Sequence, residues 1–584
     1  MRAYKTIFSS SISPTTEQRL QSRLLALPGL ILALGGCIGE EPVNVDAGPD
    51  EAANADPDQL DPSPPGVTLL VHVEYQTEEK LNWLVSEFDA LEHADRKQGY
   101  VAMLVEPAEY EHLLDEGFAV EIQETPTEQL AEALSGFRSI SGYACYRTVE
   151  ETATDMATLA SDYTDLVELV DMGDSWDKVT GGGPAGYDLA GMVVTNENIA
   201  GPKPRFFLMG SIHAREYATA ELAIRFAEEM ITGYGTDPDA TWLLDNFELH
   251  VLPHTNPDGR KIAEQGYTQR KNRNTSSGNC SNPPTSSSQH GVDLNRNSSF
   301  KFGGAGTSSK ACNLTYRRTS TSEPETQGLQ SYMSSIFADQ RGPGDADAAP
   351  SDTTGIMISL HSYSPLVLFP WSWSAAGAPN LTQLRTLARK FGYHTGYPVC
   401  QAPVCLYAAS GTTDDWAYGT LGIAAYTFEV GTSFFQSCAS FESTIVPDNI
   451  AALREAFKAA RRPYQTPAGP DAVSVAVSSS PVTAGAVVSL TATVDDTRYD
   501  SNGWGSEASQ NIAAARYTIN QASWSGATTT AMTASDGVFN ATSEGVTTSI
   551  DTTGWTVGRY LLMVEGQDAA GNWGAPSAVF LDIQ

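Results

Sequence analysis

Apolar positions along this chain recur with two periods. Val67, Leu69, Val71 and Val73 alternate with other residues, the period of a half-buried strand, and Leu81, Leu84, Val85, Phe88 and Leu91 then fall at helical spacing. Runs at 100–105 and 119–122 predict two further strands, and 109–116 a short helix, so residues 67–125 read as a small α+β unit. From 142 to 466 short apolar runs at 206–209, 247–252, 356–360 and 424–428 alternate with helical patterns such as Leu222, Phe226 and Met230. That order predicts an α/β domain: a mixed, mostly parallel sheet with helices on both faces. After Pro467-Ala468-Gly469-Pro470 the composition shifts to Ser, Thr, Val and Ala. Short alternating strands at 487–494, 515–519 and 560–564, with a turn at 568–572 joining the last pair, predict an immunoglobulin-like β-sandwich over 467–584.

The flanking segments read differently. Residues 1–37 carry Arg19 and Arg23 and then an apolar run, 24–34, too short to cross a membrane, which is the pattern of an export signal. Leu34-Gly35-Gly36-Cys37 resembles the bacterial lipobox, whose cysteine is lipidated, so the expected membrane contact is a lipid anchor only. Ordinary secretion with Cys37 removed is the alternative. Residues 38–66, rich in Asp, Glu, Ala and Pro, have almost nothing to bury and read as a disordered spacer. Residues 126–141 form a polar linker in which Arg138 offers a cut site to a trypsin-like activating protease.

Charge and cysteine content narrow the classes. The 584 residues hold 35 Lys plus Arg against 70 Asp plus Glu, a formal charge of -35, which argues against nucleic acid as a partner and would draw in a cationic ligand, with solubility alone as the alternative reading of the acidity. None of the seven cysteines forms a CxxC pair. Setting Cys37 aside leaves six, compatible with three disulfides in an oxidising compartment, and sequence alone permits fifteen pairings.

The chemistry begins where the run at 206–209 ends. His213 and Glu216 stand three residues apart on the expected strand-to-helix turn, a spacing that suits zinc when one more protein ligand leaves a position open for water. A polar turn capping the helix is the plain alternative. The run at 356–360 delivers His361, followed by Ser362 and Tyr363, in the same way. Ligands on such sheets collect at the carboxyl ends of the strands, where both motifs fall.

HxxE followed far downstream by His-Ser-Tyr resembles the zinc carboxypeptidases of the carboxypeptidase A and B family. The resemblance covers about 320 residues and implies one zinc held by His213, Glu216 and His361. It implies that Gln269-Arg270-Lys271-Asn272-Arg273 carries the oxyanion-stabilising arginine at Arg270, and that Glu429, in Tyr426-Thr427-Phe428-Glu429, is the general base. Within Asp293-Leu294-Asn295-Arg296-Asn297, Asn295 and Arg296 would bind the substrate's terminal carboxylate; Tyr407 would close on it, with Arg215 and Tyr363 as further substrate contacts. The implied substrates are peptides or proteins with a free C-terminus. Chain physics agrees: a guanidinium offers a planar fork that matches a carboxylate, and an arginine facing the carbonyl oxygen acts most strongly in the transition state.

Ser410-Gly411-Thr412-Thr413-Asp414-Asp415-Trp416 is similar to the wall of the family's pocket for the C-terminal side chain. Asp415 matches the general aspartate, and Asp414 occupies the variable position, where aspartate goes with the carboxypeptidase B preference for Lys and Arg. The alternative has Asp414 on a loop pointing to solvent, with mixed or apolar specificity. Pancreatic relatives imply a Cys280–Cys312 disulfide around the Asp-x-Asn-Arg-Asn motif. Cys400 with Cys405 would close a tight loop before Tyr407, leaving Cys145 and Cys438 to each other. Residues 67–125 resemble the activation segment of secreted carboxypeptidase zymogens, with an independent adaptor as the alternative. Two departures stand out: a Ser/Asn/Pro-rich insertion at 275–289, expected as a surface loop, and His254, which is assigned no role. A binding protein that kept the fold and lost activity is the competing class. No ligand or base is missing to support it. Peptidoglycan stem peptides, a third reading, fit less well with an intact Asn295 and Arg296.

Overall fold

The structure, a computed structural model, describes residues 69–96, 98–122, 140–181, 185–503 and 505–584. The expected export signal, lipobox and spacer, and Arg138 of the linker, lie outside the described residues. Among the described residues no helix is long and apolar enough to cross a membrane.

The first sheet contains β1 (Leu69–Glu74), β2 (Asp89–Asp95), β3 (Tyr100–Val105) and β4 (Val120–Ile122) in the order β2-β3-β1-β4. Helix Glu78–Glu87 starts where the Thr77 side chain accepts from Lys80 N, and it stops earlier than the spacing through Leu91 suggests. Phe88 takes extended backbone and packs its ring edge-on to Trp83, and the chain turns into edge strand β2. Helix Pro107–Asp115 has both marks of a strong start: Glu106 and Glu109 form a capping box, and proline occupies the first turn.

The central sheet holds β5 (Val167–Asp174), β6 (Asp188–Val194), β7 (Arg205–Met209), β8 (Glu248–Leu252), β9 (Ile356–His361), β10 (Leu366–Leu368), β11 (Val399–Cys400) and β12 (Ala424–Glu429), ordered β11-β10-β12-β9-β7-β8-β6-β5. Its middle four strands, β12, β9, β7 and β8, are mutually parallel, and antiparallel pairs flank them on both sides. Every residue of β9 and β12 is buried, as expected of parallel strands covered on both faces. Phe206, Phe207, Leu208 and Met209 are fully buried. At roughly 1.5–3 kcal/mol each, such burial helps offset the cost of carrying polar groups inward at the strand ends.

The last seven strands are β13 (Asp471–Val477), β14 (Val487–Asp495), β15 (Ile512–Ile519), β16 (Thr530–Ala534), β17 (Ser543–Asp551), β18 (Gly558–Asp568) and β19 (Ser577–Ile583). They differ from two separate sheets in being continuously hydrogen-bonded, β13-β14-β17-β16-β15-β18-β19, with β16 pairing to both β17 and β15. The two halves enclose one core that includes Val488, Leu490, Val546, Leu562 and Val564.

Two interfaces bear on the site. Val73, Leu84, Phe88 and Leu113 of the first unit share a buried cluster with Leu366, Leu368, Leu406 and Tyr407, and Arg96 Nε donates to Leu406 O at 2.9 Å. The C-terminal unit joins the central domain where Arg389 pairs with Glu507 at 2.6 Å, Lys390 pairs with Asp471, and Trp524 packs against Trp242 and Phe247. All three anticipated disulfides are present: Cys145–Cys438, Cys280–Cys312 and Cys400–Cys405.

Candidate active site

The turn after β7 is fixed by close backbone packing. A Cβ on Gly210 would lie 2.7 Å from Thr219 O, so the strand end presses directly on the first turn of helix Tyr217–Gly233. Thr219 Oγ1 accepts from Ser211 N and donates to Glu216 O, which stitches the turn shut. Glu216 stands at the N-cap, yet its carboxylate makes no capping bond. It turns to His213 instead, with Oε1 2.7 Å from Nδ1. That removes the plain helix-capping reading of this pair.

His361, the last residue of β9, brings its Nδ1 to 3.2 Å from His213 Nδ1 and 3.6 Å from Glu216 Oε2. All three residues are buried, and their donor atoms lie within 4.8 Å of one another, so they could hold a metal ion. The outer ring nitrogens face away from this cluster: His213 Nε2 is 3.2 Å from Asp293 Oδ1, and His361 Nε2 is 3.0 Å from Ser359 Oγ. With its proton at Nε2 toward Asp293, His213 presents a lone pair at Nδ1. Burial, then the charges of His213, Arg270 and Arg296, hold His361 well below the usual imidazole value, which keeps it a neutral ligand. Glu216 Oε2 is buried without a hydrogen-bond partner. Two imidazole nitrogens and a carboxylate around an unsatisfied oxygen suit zinc.

Glu429, the last residue of β12, is buried and lies opposite His361 in the parallel ladder, so the register that aligns the two strands places Glu429 next to His361 at the carboxyl end of the sheet. Arg270 is buried with Nε 3.1 Å from Asp293 Oδ2, and its carbonyl accepts from Ala214 N at 3.1 Å. Asp293 thus bridges Arg270 and His213. Burial alone would raise it, but Arg270, Arg296 and His213 outweigh burial and hold its carboxyl well below the usual range. Arg215 is fully buried over the Phe434 ring at 3.9 Å, and Tyr363 meets the same ring edge-on at 5.0 Å.

Asn295 and Arg296 sit on a short 3-10 turn, Leu294–Arg296. Asn295 Oδ1 accepts from Thr413 N at 2.9 Å. Arg296 donates from Nε to Gly306 O and from Nη1 to Asn295 O, while among the described residues Nη2 makes no hydrogen bond. Gly411, at φ 74, lies so near that a Cβ would be 2.6 Å from Arg296 O, which locks the pocket-wall loop to the arginine turn. Tyr407 is buried in the cluster shared with the first unit. Asp414 is 1% exposed, not directed to solvent. Its Oδ2 accepts from Ser372 Oγ at 2.8 Å, and among the described residues its Oδ1 makes no hydrogen bond. Asp415 differs: its two oxygens take the amides of Ser372 and Trp373.

A family profile described as zinc carboxypeptidase (Peptidase_M14) matches residues 152–451, just over half of the 584. The chain belongs to the zinc carboxypeptidase family. Among curated zinc carboxypeptidases, carboxypeptidase A2 of Mus musculus is 32% identical over 300 residues, 49% of this chain and 63% of that protein. Carboxypeptidase A1 of Bos taurus is 30% identical over 314 residues, 52% of this chain and 67% of that protein. The chain thus spans a little under two thirds of the length of the first of these relatives. Carboxypeptidase A from Helicoverpa armigera shares the fold, with a TM-score of 0.54 at 20% identity over 68% of this chain and 97% of that structure. As in any zinc carboxypeptidase, one zinc per catalytic domain is the cofactor.

Several supporting residues carry no spacing signal. Asp293 was visible only as a letter of its motif, and Ser359 only as a strand residue. Gln289, last in the insertion expected to be a surface loop, is fully buried: its Oε1 accepts from Arg270 N at 2.9 Å and its Nε2 donates to Thr268 O at 2.7 Å. His254 is buried with Nε2 3.1 Å from Thr152 Oγ1.

Proposed function

We propose that this chain is a zinc-dependent exopeptidase that hydrolyses the C-terminal peptide bond of peptides and proteins. One observation carries the reading: His213, Glu216 and His361 converge through Nδ1, Nδ1 and a carboxylate at the ends of β7 and β9, with Glu429 delivered opposite His361 by β12. Bound there, zinc would polarise a carbonyl and lower the pKa of a water toward 7. At the end of β12, Glu429 would serve as the base that accepts a proton from water and returns it to the departing amine. Arg270, oriented by Asp293 and Gln289, balances charge developing on the carbonyl oxygen. The open Nη2 of Arg296 and the NH2 of Asn295 suit a substrate carboxylate, which restricts cutting to a free C-terminus. Release of the terminal residue from a blocked dipeptide, lost on removal of zinc, tests the reading.

For the released residue we propose Arg and Lys. A buried Asp414 with one oxygen unbonded is costly without a cation, and a basic side chain relieves that cost. The carboxypeptidase A names of the curated relatives favour a second reading, apolar ends, and matched substrates separate the two. We also propose that the unit around β1–β4 is an activation segment. It packs on Tyr407, and its Leu70, Ala102 and Leu104 meet Tyr363 and Phe434, four positions from Val430 along the chain that leaves Glu429. Cutting after Arg138 would release it. Export fits three disulfides, with a lipid at Cys37 as the anchor. The C-terminal sheet carries none of this chemistry.

A further inference from the structure

Behind the catalytic sheet lies a cleft that none of these steps uses. It has a volume of about 470 Å3 and opens where the end of helix Val446–Ala459 meets the C-terminal sheet. Gly355 N donates to Ala460 O, and Tyr464 Oη donates to Gly422 O. Those bonds set the cleft at the amino ends of β9 and β12, whereas the metal ligands lie at the carboxyl ends, about 20 Å away along strands that rise ~3.3 Å per residue.

The cleft reverses the charge of the rest of the chain. Lys458, Arg461, Arg462 and Arg516 line it with a single acid, Glu565, in a protein whose acids number 70 and bases 35. Lys458 is neutralised by Asp239 at 2.6 Å, and Arg516 by Glu565 at 2.9 Å. Among the described residues no carboxylate lies within ion-pair distance of Arg461 or Arg462. Arg461 lies over the Trp524 indole at 4.5 Å, and Arg462 reaches Gln465 Oε1 at 3.5 Å. Neither guanidinium hydrogen-bonds the last carbonyls of the helix, a usual role for cations in that position. Burial, then the neighbouring charge of Arg462, lowers Arg461 from the usual guanidinium value despite Glu565, as happens to a cation that lacks an anion.

The walls are fixed in advance. A Cβ on Gly574 would lie 1.9 Å from Pro470 O, and one on Gly469 would lie 2.3 Å from Gly574 N, so the interdomain linker and the β18–β19 loop meet backbone to backbone. The Trp573 ring stacks under Arg516 at 3.7 Å. Arg461, laid over Trp524, has less freedom to lose on binding than a free side chain would.

We propose that this cleft binds a phosphate dianion, free or as a phosphate monoester headgroup, between the guanidinium groups of Arg461 and Arg462. A carboxylate would offset one of the two unpaired charges. A phosphate carries roughly -1.5 to -2 at neutral pH and offers three acceptor oxygens to two planar forks.

Calorimetry of the full chain with inorganic phosphate at constant ionic strength tests the site, and sedimentation with phosphatidylcholine vesicles, with and without phosphatidate, tests the source. Saturable binding that weakens roughly tenfold or more in R461Q/R462Q, with peptidase turnover unchanged, is expected. R462Q alone serves if the double variant fails to fold, and should weaken binding in the same direction. Arginine-dependent pelleting with phosphatidate vesicles would assign a lipid headgroup, and binding of free phosphate alone a soluble ligand. No binding of either, or binding that these variants leave unchanged, would overturn the proposal.

Discussion

Replacing Asp414 by asparagine keeps the shape and the bond from Ser372 Oγ while removing the charge, so it isolates what the carboxylate contributes to substrate choice. The group is 1% exposed, with one oxygen free of hydrogen bonds, so a substrate guanidinium or ammonium would meet it largely out of water. Losing one partner of a buried charge pair costs roughly 2–5 kcal/mol, or a factor of about thirty to several thousand in kcat/KM. The assay compares kcat/KM on matched blocked dipeptides ending in Arg, Lys and Phe. Wild type should favour Arg and Lys at least tenfold; Asp414→Asn should lose about thirtyfold or more on Arg and change little on Phe. Asp414→Ile should move the preference toward apolar ends, at some expense in stability because Ser372 Oγ loses its acceptor. Phe equal to or ahead of Arg in wild type would refute the argument, and so would an equal loss on both substrates in the asparagine variant.

Three further outcomes follow from the same geometry. Glu429→Ala should keep its zinc and lose on the order of 10²–10⁴ in kcat, measured on a blocked dipeptide, and near-normal turnover would mean that another base acts. Buried Glu325, pushed up to about 8 by burial, accepts from Asn272 Nδ2 and Trp176 N. Its folded value exceeds the unfolded one, so the folded state binds more protons between about pH 4.5 and 8; stability should fall as pH rises through that window, and Glu325→Gln should flatten the slope in a plot of Tm against pH. Trypsin treatment that separates residues 67–125 from the rest should raise kcat/KM on a peptide substrate, whereas unchanged activity after complete separation would favour an independent adaptor.

The strand-end histidines were legible because strands buried on both faces are apolar throughout and stop abruptly, which makes the polar residue after them conspicuous. Helix Glu78–Glu87 was overrun because Phe88 continues helical spacing while its backbone is already extended. Spacing along a chain says nothing about which strand a short strand such as β16 will pair with, so the continuous C-terminal sheet was read as two. Contacts across 80 or 42 positions, such as His213 with Asp293 or Ser372 with Asp414, arise only when loops from different strand ends meet. Gln289 illustrates the same limit. Its neighbours read as a polar surface loop, yet one amide turned inward holds the backbone of Arg270.

Zinc content is the decisive measurement for the metal centre formed by His213, Glu216 and His361. Elemental analysis of the purified full chain should find one zinc per molecule, and His361→Ala, shown by circular dichroism to be folded, should have lost it. A folded His361→Ala that retains full zinc would contradict the assignment, as would a wild-type chain that binds none when zinc is supplied.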